Sequence, residues 1–410
     1  MKEKYLHYLW RYKLIPFHKL QLSNGQSFKV LDSGEYNSYE SGPDFLNAKI
    51  EIDSIIWSGN IELHVKSKDW ILHNHHLDVA YNTVVLHVVY EHNGDIIQNN
   101  HLIPTLELKS IIDFDHFRKF DKLLKSKRTI LCGSLLSKVP GIIWEEMKEK
   151  ALFQRLNRKT ENLTQVVGSN NPRQILYFLM ARAMGAKINQ LPFEELTHRL
   201  PLSLLKQVSK KNQSLLIQLT SGMMKIDSFT SLLKSSELIN LHVKVARGVV
   251  DQSSWKFGGT RPGNAPTIRI KQFADICQKF DFEISFVLLS LLELKKYLFS
   301  LLATSLQLNE KDENIIPLTD TFKEQLIINC FVPFIFWYGQ YQENELIVEK
   351  SLDLLRLFKP EENSIIFKWK EFQKIANNAS DSQALLEIFN EYCAKKKCLS
   401  CSIGYCLLNK

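Results

Sequence analysis

The chain has 410 residues, of which 45% are apolar, and a formal net charge of +8. This length and composition exclude a disordered chain and favour two or three domains with buried cores. We find no basic N-terminal segment followed by an apolar run and no apolar stretch long enough to span a bilayer, so we expect a cytoplasmic protein without a membrane partner. The positive charge suits a polyanionic partner such as nucleic acid.

The first part of the chain predicts a helix followed by strands. Apolar residues within 5–10 recur at helical spacing and predict a short helix. Strands are predicted where apolar and β-branched residues concentrate or alternate, at residues 28–31, 48–52, 55–57, 61–65, 83–90 and 106–108. Between two of these strands, Asp53 and Ser54 predict a tight hairpin turn.

From residue 143 the pattern becomes helical. Long helices are predicted at residues 144–163, 174–184, 284–306 and 320–336. We therefore predict an α+β multidomain protein with an α/β domain at 1–135, an all-α domain at 140–390 and a cysteine-containing C-terminal tail at 391–410.

Two carboxylates and several histidines fall on predicted neighbouring strands. Seven of the twelve histidines lie between residues 64 and 101. Because side chains alternate along a strand, Glu62, His64 and Lys66 share one face. If the strands at 48–52 and 55–65 are neighbours, Asp44 lies beside Glu62, and two close carboxylates favour a hard cation such as magnesium or manganese. We expect His64 or Lys66 to activate a water for attack on a phosphodiester.

This arrangement resembles the PD-(D/E)XK, or restriction-endonuclease-like, nuclease superfamily over residues 1–110. Asp44 stands where that superfamily has its aspartate, and Glu62-Leu63-His64 stands for its Glu-X-Lys, with His64 in place of the lysine. Glu3 on the first helix matches its extra acidic residue, and Lys66 is a candidate substitute for the lysine. The resemblance implies a restriction-endonuclease-like N-terminal domain and a metal-dependent nuclease. The missing lysine implies an alternative, a non-catalytic nucleic-acid-binding or scaffold protein with a degenerate nuclease fold.

Other short strings carry a second resemblance, which spans essentially the whole chain. They lie at residues 42–45, 59–64, 67–70, 73–75, 78–81, 86–89, 261–269, 333, 338–339, 392–393 and 398–404. Together they are similar to a bacterial domain-of-unknown-function family numbered 2851. This resemblance indicates a family and implies no reaction.

The histidines also support a rival prediction of a zinc-dependent hydrolase. The string from His73 through His75 to Asp78 resembles metal-binding strings of zinc hydrolases, and His87 or His64 would complete a tetrahedral site. The alternative is that His73 and His75 decorate a turn, that Asp78 caps the backbone, and that His87 is a core residue.

Four of the seven cysteines lie within the last eighteen residues: Cys393, Cys398, Cys401 and Cys406. An odd total argues against a secreted disulfide scaffold. The four thiols predict a zinc ion or an iron–sulfur cluster, with a chance grouping of reduced thiols as the alternative.

Two basic regions are candidate phosphate contacts. Residues 118–128 carry six basic side chains on a helical pattern, which form either a solvated helix face or a phosphate-contacting strip. Arg261 and Arg269 lie around the N-terminus of another predicted helix, where they either bind an anion or satisfy exposed carbonyl groups.

Overall fold

The computed structural model describes residues 1–17, 20–37, 41–223, 248–258, 262–303 and 316–409. The fold is α+β, and the chain divides into two compact units. The first unit comprises Met1–Met147 together with Phe389–Lys410, and the second comprises Lys148–Ile388. Residues 391–410, which the sequence predicts as a separate tail, are therefore grouped with the N-terminal unit.

The first unit combines helices with a mixed sheet. It begins with helix α1 (Glu3–Arg11). The strands are β1 (Phe28–Asp32), β2 (Glu35–Tyr36), β3 (Phe45–Ile52), β4 (Ile55–Lys66), β5 (Val84–Glu91), β6 (Ile97–Gln98), β7 (His101–Leu102) and β8 (Thr105–Glu107). Helix α2 (Asp69–Leu72) precedes β5, and helix α3 (Phe114–Leu124) follows β8. Short 3₁₀ turns lie at His75–Leu77, Val79–Thr83, Gly133–Lys138 and Cys398–Ser400. The C-terminal helix comprises Ser402–Leu408.

The main sheet has the order β1-β3-β4-β5-β8, with β2 paired to β3. Strand β3 pairs antiparallel with β1 and β4, whereas β5 runs parallel to both β4 and β8. The predicted hairpin turn is confirmed, because Asp53 and Ser54 join β3 to β4 with φ of 48° and 67°. A parallel pair needs a crossover connection, and residues 67–83 supply it between β4 and β5.

A single hydrophobic cluster joins α1 to one face of the sheet. Tyr5, Leu6 and Trp10 of α1 are fully buried, as are Leu63 of β4 and Val88 of β5. Burial of this apolar face is the main free-energy term that holds the helix against the sheet. The opposite face of β4 is consequently left to Glu62 and His64.

The second unit is helical in the residues that the structure describes. Its helices are Gly141–Thr160, which begins in the first unit, Leu163–Val167, Pro172–Met184, Gln190–Arg199, Leu202–Leu205, Lys210–Thr220, Pro266–Lys279, Leu291–Leu301, Asp320–Leu326, Val332–Tyr341, Glu345–Arg356, Ser364–Lys370 and Ala379–Glu387. π-helical turns lie at Ile327–Phe331 and Ile388–Cys393.

The predicted helices at 144–163 and 174–184 are confirmed with shifted ends. The one predicted at 284–306 begins later, at Leu291, because Ser290 and Glu293 form a capping box there. None of the described helices combines the length and apolar character needed to cross a membrane.

Candidate metal and acid–base site

Glu62 and Asp44 meet at the start of the pairing between β3 and β4. Phe45 of β3 pairs antiparallel with Ile61 of β4, so Asp44, which precedes Phe45, lies next to Glu62, which follows Ile61. The backbone N–H of Asp44 donates to Glu62 Oε2 at 3.1 Å, and the backbone N–H of Leu63 donates to Asp44 Oδ2 at 2.9 Å. These reciprocal hydrogen bonds hold both carboxyl groups beside the sheet.

Two imidazoles approach the other oxygen of Glu62, and a third adjoins them. His75 Nε2 lies 3.3 Å and His64 Nε2 lies 3.6 Å from Glu62 Oε1. His73 Nδ1 lies 3.1 Å from His64 Nε2. One ring nitrogen from each of the three histidines lies within 4.8 Å of the others, a spacing that suits a shared metal ion.

The crossover segment explains how His73 and His75 reach the strand. Asp69 fixes the start of α2 by accepting a hydrogen bond from the Lys66 backbone N–H at 2.8 Å. The helix ends at Leu72 with His73 as its C-cap, and Asn74 then adopts a left-handed conformation with φ of 61°, which asparagine tolerates better than most residues. This sharp turn lets residues on both sides of Asn74 face His64.

Aromatic packing fixes the ring of His75. Its imidazole stacks on Tyr81 with 3.8 Å between ring centroids, and Trp70 lies edge-on to it at 5.6 Å. Trp70 is fully buried and is the centre of a small cluster beneath the imidazoles. Rings held in this way lose little further freedom when they bind an ion.

His87 lies behind His64. Its Nε2 is 2.8 Å from His64 Nδ1, and both side chains are buried. A histidine that binds a metal through one nitrogen normally donates its other N–H to a neighbour, which fixes the tautomer. His87 therefore has the position of an orienting partner, with His64 Nε2 left to face Glu62, His73 and His75.

Burial sets the ionisation of the site. It lowers the pKa of His64 to about 2, with further lowering by the charges of His87 and His75, and it lowers the pKa of His87 to about 3. Both imidazoles are therefore neutral at neutral pH and keep a lone pair for a metal. Burial raises the pKa of Glu62 well above its ordinary value, and the charge of Asp44 adds to this effect. A nearby cation would reverse that shift.

An acid–histidine pair borders the site on α1. His7 Nε2 lies 3.1 Å from Asp44 Oδ2 and 3.8 Å from Glu3 Oε1. Burial acts to lower the pKa of His7, but Asp44, Glu3 and Glu62 together raise it, so the net shift is upward. Burial also raises the pKa of Glu3. The sequence reasoning missed His7, although its i,i+4 spacing from Glu3 on a helix was a usable signal.

Several other predicted residues lie elsewhere. Lys66 is exposed at the end of β4, near Glu91 of the paired strand. Asp78 accepts a hydrogen bond from the Ala80 backbone N–H and caps a 3₁₀ turn, so its carboxylate is engaged by the backbone. The structure thus groups His73 and His75 with His64 and Glu62 and leaves Asp78 as a cap.

The arginines predicted to bind phosphate are in the second unit. Arg269 is buried, donates to Gln272 Oε1 at 2.9 Å and to Asn264 Oδ1, and lies over the ring of Phe322. Arg261 lies outside the described residues. The contacts of Arg269 are those of a residue that holds its own loop and helix together.

Comparison with known proteins identifies one family. A sequence profile described as "Protein of unknown function (DUF2851)" matches residues 3–364. The search of curated proteins and the search of solved structures each found no match.

Proposed function

The chain belongs to the DUF2851 family, whose description names no reaction, and from the site itself we propose that it is a metal-dependent nuclease. In this proposal, phosphodiester hydrolysis takes place where Glu62 meets the imidazoles of His64, His73 and His75. The observation that carries the proposal is the convergence of these four side chains, with ring nitrogens 3.3 and 3.6 Å from one carboxylate oxygen.

The donor set fits a metal ion. Three imidazoles are a common ligand set for catalytic zinc, and they leave a further position open for water. Imidazole nitrogens suit zinc better than magnesium, which prefers oxygen donors. We therefore assign His64, His73 and His75 as ligands for zinc or a similar transition metal, with manganese the next candidate because of the neighbouring carboxylates.

When bound, the metal would polarise the scissile phosphoryl group and lower the pKa of a water molecule. Glu62 is placed to accept the proton of the attacking water, because its Oε1 borders the imidazoles while Oε2 is held by the Asp44 backbone. We assign His7, whose pKa is raised by Asp44, Glu3 and Glu62 against the effect of burial, as the donor of a proton to the departing oxygen. His87 orients His64 and touches no substrate.

Two observations support nucleic acid as the substrate class. Helix α1, then antiparallel β3 and β4 bearing Asp44 and Glu62, then a parallel β5 is the element order that the resemblance to the PD-(D/E)XK superfamily implies. The six basic residues in 118–128 of the same unit are exposed, as a contact with phosphates requires.

A second candidate is a magnesium or manganese site between Asp44 and Glu62. Their adjacency favours it. Asp44 Oδ2, however, already accepts a hydrogen bond from Leu63 and lies beside His7, which reduces its capacity to bind a metal. A third candidate, non-catalytic nucleic-acid binding, shares this geometry without turnover.

The test is cleavage of single-stranded, duplex and branched DNA and of RNA with zinc, manganese or magnesium, alongside metal analysis. We expect Glu62→Gln to keep the metal and lose at least about 10²-fold in rate, since it removes a proton acceptor. His73→Ala should lose both metal and activity. His76→Ala is the matched control, because His76 is adjacent to His75 and outside the three-histidine group.

The outcomes separate the three candidates. Magnesium-dependent cleavage that survives His73→Ala but not Asp44→Asn would assign the reaction to the carboxylate pair. Equal cleavage by wild type and Glu62→Gln would overturn the proposal. Binding of nucleic acid without cleavage under every metal would leave the non-catalytic candidate.

A further inference from the structure

Four cysteines that are far apart in the sequence come together in the first unit. Cys132 precedes the 3₁₀ turn Gly133–Lys138, Cys393 ends a π-helical turn, and Cys398 and Cys401 flank the turn before the C-terminal helix. The Lys396 N–H donates to the Cys393 carbonyl oxygen at 3.1 Å and the Lys397 N–H to the Tyr392 carbonyl oxygen at 2.8 Å, so the chain turns tightly between Cys393 and Cys398. The pKa values of Cys132 and Cys393 are raised by burial and further by the neighbouring thiols, which agrees with this proximity.

The backbone around these thiols is tightly built. The Cys401 N–H donates to the Cys398 carbonyl oxygen at 3.3 Å, and the Leu135 N–H donates to the Cys132 carbonyl oxygen at 2.8 Å. A Cβ at Gly404 would collide with the Cys398 carbonyl oxygen, so the C-terminal helix packs directly against the turn that bears the thiols. This helix also contacts Gly133–Lys138, the turn that follows Cys132.

The surroundings of the thiols resemble those of a metal centre more than those of a reactive cysteine. Cys132, Cys398 and Cys401 are buried and Cys393 is partly buried. All seven cysteines of the chain lie in its described part, where none forms a disulfide. The four thiols gain no stability from a disulfide bond, but together they supply the complete ligand set of a structural metal site.

We propose that Cys132, Cys393, Cys398 and Cys401 bind a metal centre through four thiolates. Cys132 replaces Cys406, the fourth ligand that the sequence spacing predicts. The proposal is independent of the nuclease chemistry, because it rests on different residues. It joins residue 132 to residues 393–401, two segments of the first unit that are separated in sequence by the whole of Lys148–Ile388.

The spacing of the sulfurs favours an iron–sulfur cluster over a single zinc ion. Zinc–sulfur bonds of about 2.3 Å hold the four sulfurs of a zinc site about 4 Å apart. Among the described residues, three potential ligand atoms lie within 4.8 Å of one another at His64, His73 and His75. No three of the described cysteine sulfurs lie as close together as this. A [4Fe–4S] cluster is larger than an ion and binds one thiolate at each iron, so it spans more widely spaced sulfurs.

A cysteine binds a metal as the thiolate, so metal binding at this site releases thiol protons. Once bound, the centre stabilises the folded state, because the unfolded chain has no preformed ligand set.

The test is metal and sulfide analysis of the full chain, expressed and purified without oxygen. A cluster predicts about four irons and four acid-labile sulfides per chain with visible charge-transfer absorption, and a zinc site predicts about one zinc. Either result, lost in Cys132→Ser and retained in Cys406→Ser, supports the four-thiolate site and identifies the metal.

Wild type that contains neither metal, after anaerobic purification and after reconstitution with iron and sulfide or with zinc, would overturn the proposal. So would metal that survives Cys132→Ser but not Cys406→Ser. If Cys132→Ser fails to fold, Cys393→Ser at the partly buried position gives the same comparison. Circular dichroism during chelation of wild type adds a measurement that needs no variant.

Discussion

His64 Nδ1 lies 2.8 Å from His87 Nε2, with both rings buried against the sheet of the first unit. If His64 binds a metal through Nε2, its Nδ1–H donates a hydrogen bond and His87 Nε2 accepts it. His87 is therefore a positioning residue for the proposed site. The pair links a candidate ligand to a side chain that no substrate reaches.

Replacing His87 tests this link. His87→Leu keeps a similar volume and removes the acceptor, so we expect metal affinity to fall about 10- to 100-fold. His87→Gln keeps an acceptor and should retain most of the affinity. Isothermal titration with zinc gives both dissociation constants, and urea unfolding of the metal-free proteins checks the fold. Equal affinities for the two variants would show that His87 does not orient His64.

Metal binding at neutral pH should release a proton from Glu62. Burial and Asp44 keep this carboxyl group protonated in the metal-free protein, and a cation beside it favours the ionised form. His64 is already neutral and contributes no proton. Titrations in two buffers of different ionisation enthalpy measure the number released, which we expect to be about one in wild type and near zero in Glu62→Gln. The same number in both proteins would contradict the assignment.

The stability of the metal-free protein should fall as the pH drops below 6.5. The folded pKa values of His64 and His87, about 2 and about 3, lie below their ordinary value of 6.5. Below pH 6.5 the unfolded state takes up protons that the folded state does not. Each of the two histidines therefore lowers the free energy of unfolding by about 1.4 kcal/mol per pH unit. The loss continues until the pH reaches the folded pKa.

Glu62 has the opposite sign, because its folded pKa is raised above its ordinary value of 4.5. Its contribution is fully present below pH 4.5 and is lost as the pH rises through the folded pKa. When the pH is lowered from 6 to 5, the free energy of unfolding of wild type should therefore rise by about 1.4 kcal/mol relative to that of Glu62→Gln. Urea unfolding of both proteins with chelator at pH 6 and pH 5 measures this change. A difference in unfolding free energy that is the same at both pH values would contradict the prediction.

Charge reversal on α3 tests the basic segment. Lys119 and Lys122 are exposed there. Replacing both with glutamate should weaken nucleic-acid binding and flatten its dependence on salt, because each lost phosphate contact reduces the slope by about one. The matched control replaces Lys271 and Lys296, exposed lysines of the second unit, with the same change in net charge. Equal weakening in both double variants would indicate a general charge effect.

Much of the first unit could be predicted from local patterns. The period-two alternation along β4 placed Glu62 and His64 on one face, and the Asp53-Ser54 turn made β3 its neighbour, so the proximity of Asp44 followed. The same reasoning did not find His7, because the position of α1 depends on its packing against the sheet.

The sequence by itself determined the features that depend on near neighbours in the chain: several of the helices, most strands of the first unit, the hairpin, and the histidine-rich segment after β4. Only the tertiary structure decided which side chains meet. The left-handed Asn74 turned His73 and His75 towards His64, while Asp78 became a cap. The return of the C-terminal segment to the first unit grouped Cys132 with Cys393, Cys398 and Cys401. Such contacts depend on loop paths and long-range packing, which leave no periodic signal in the sequence.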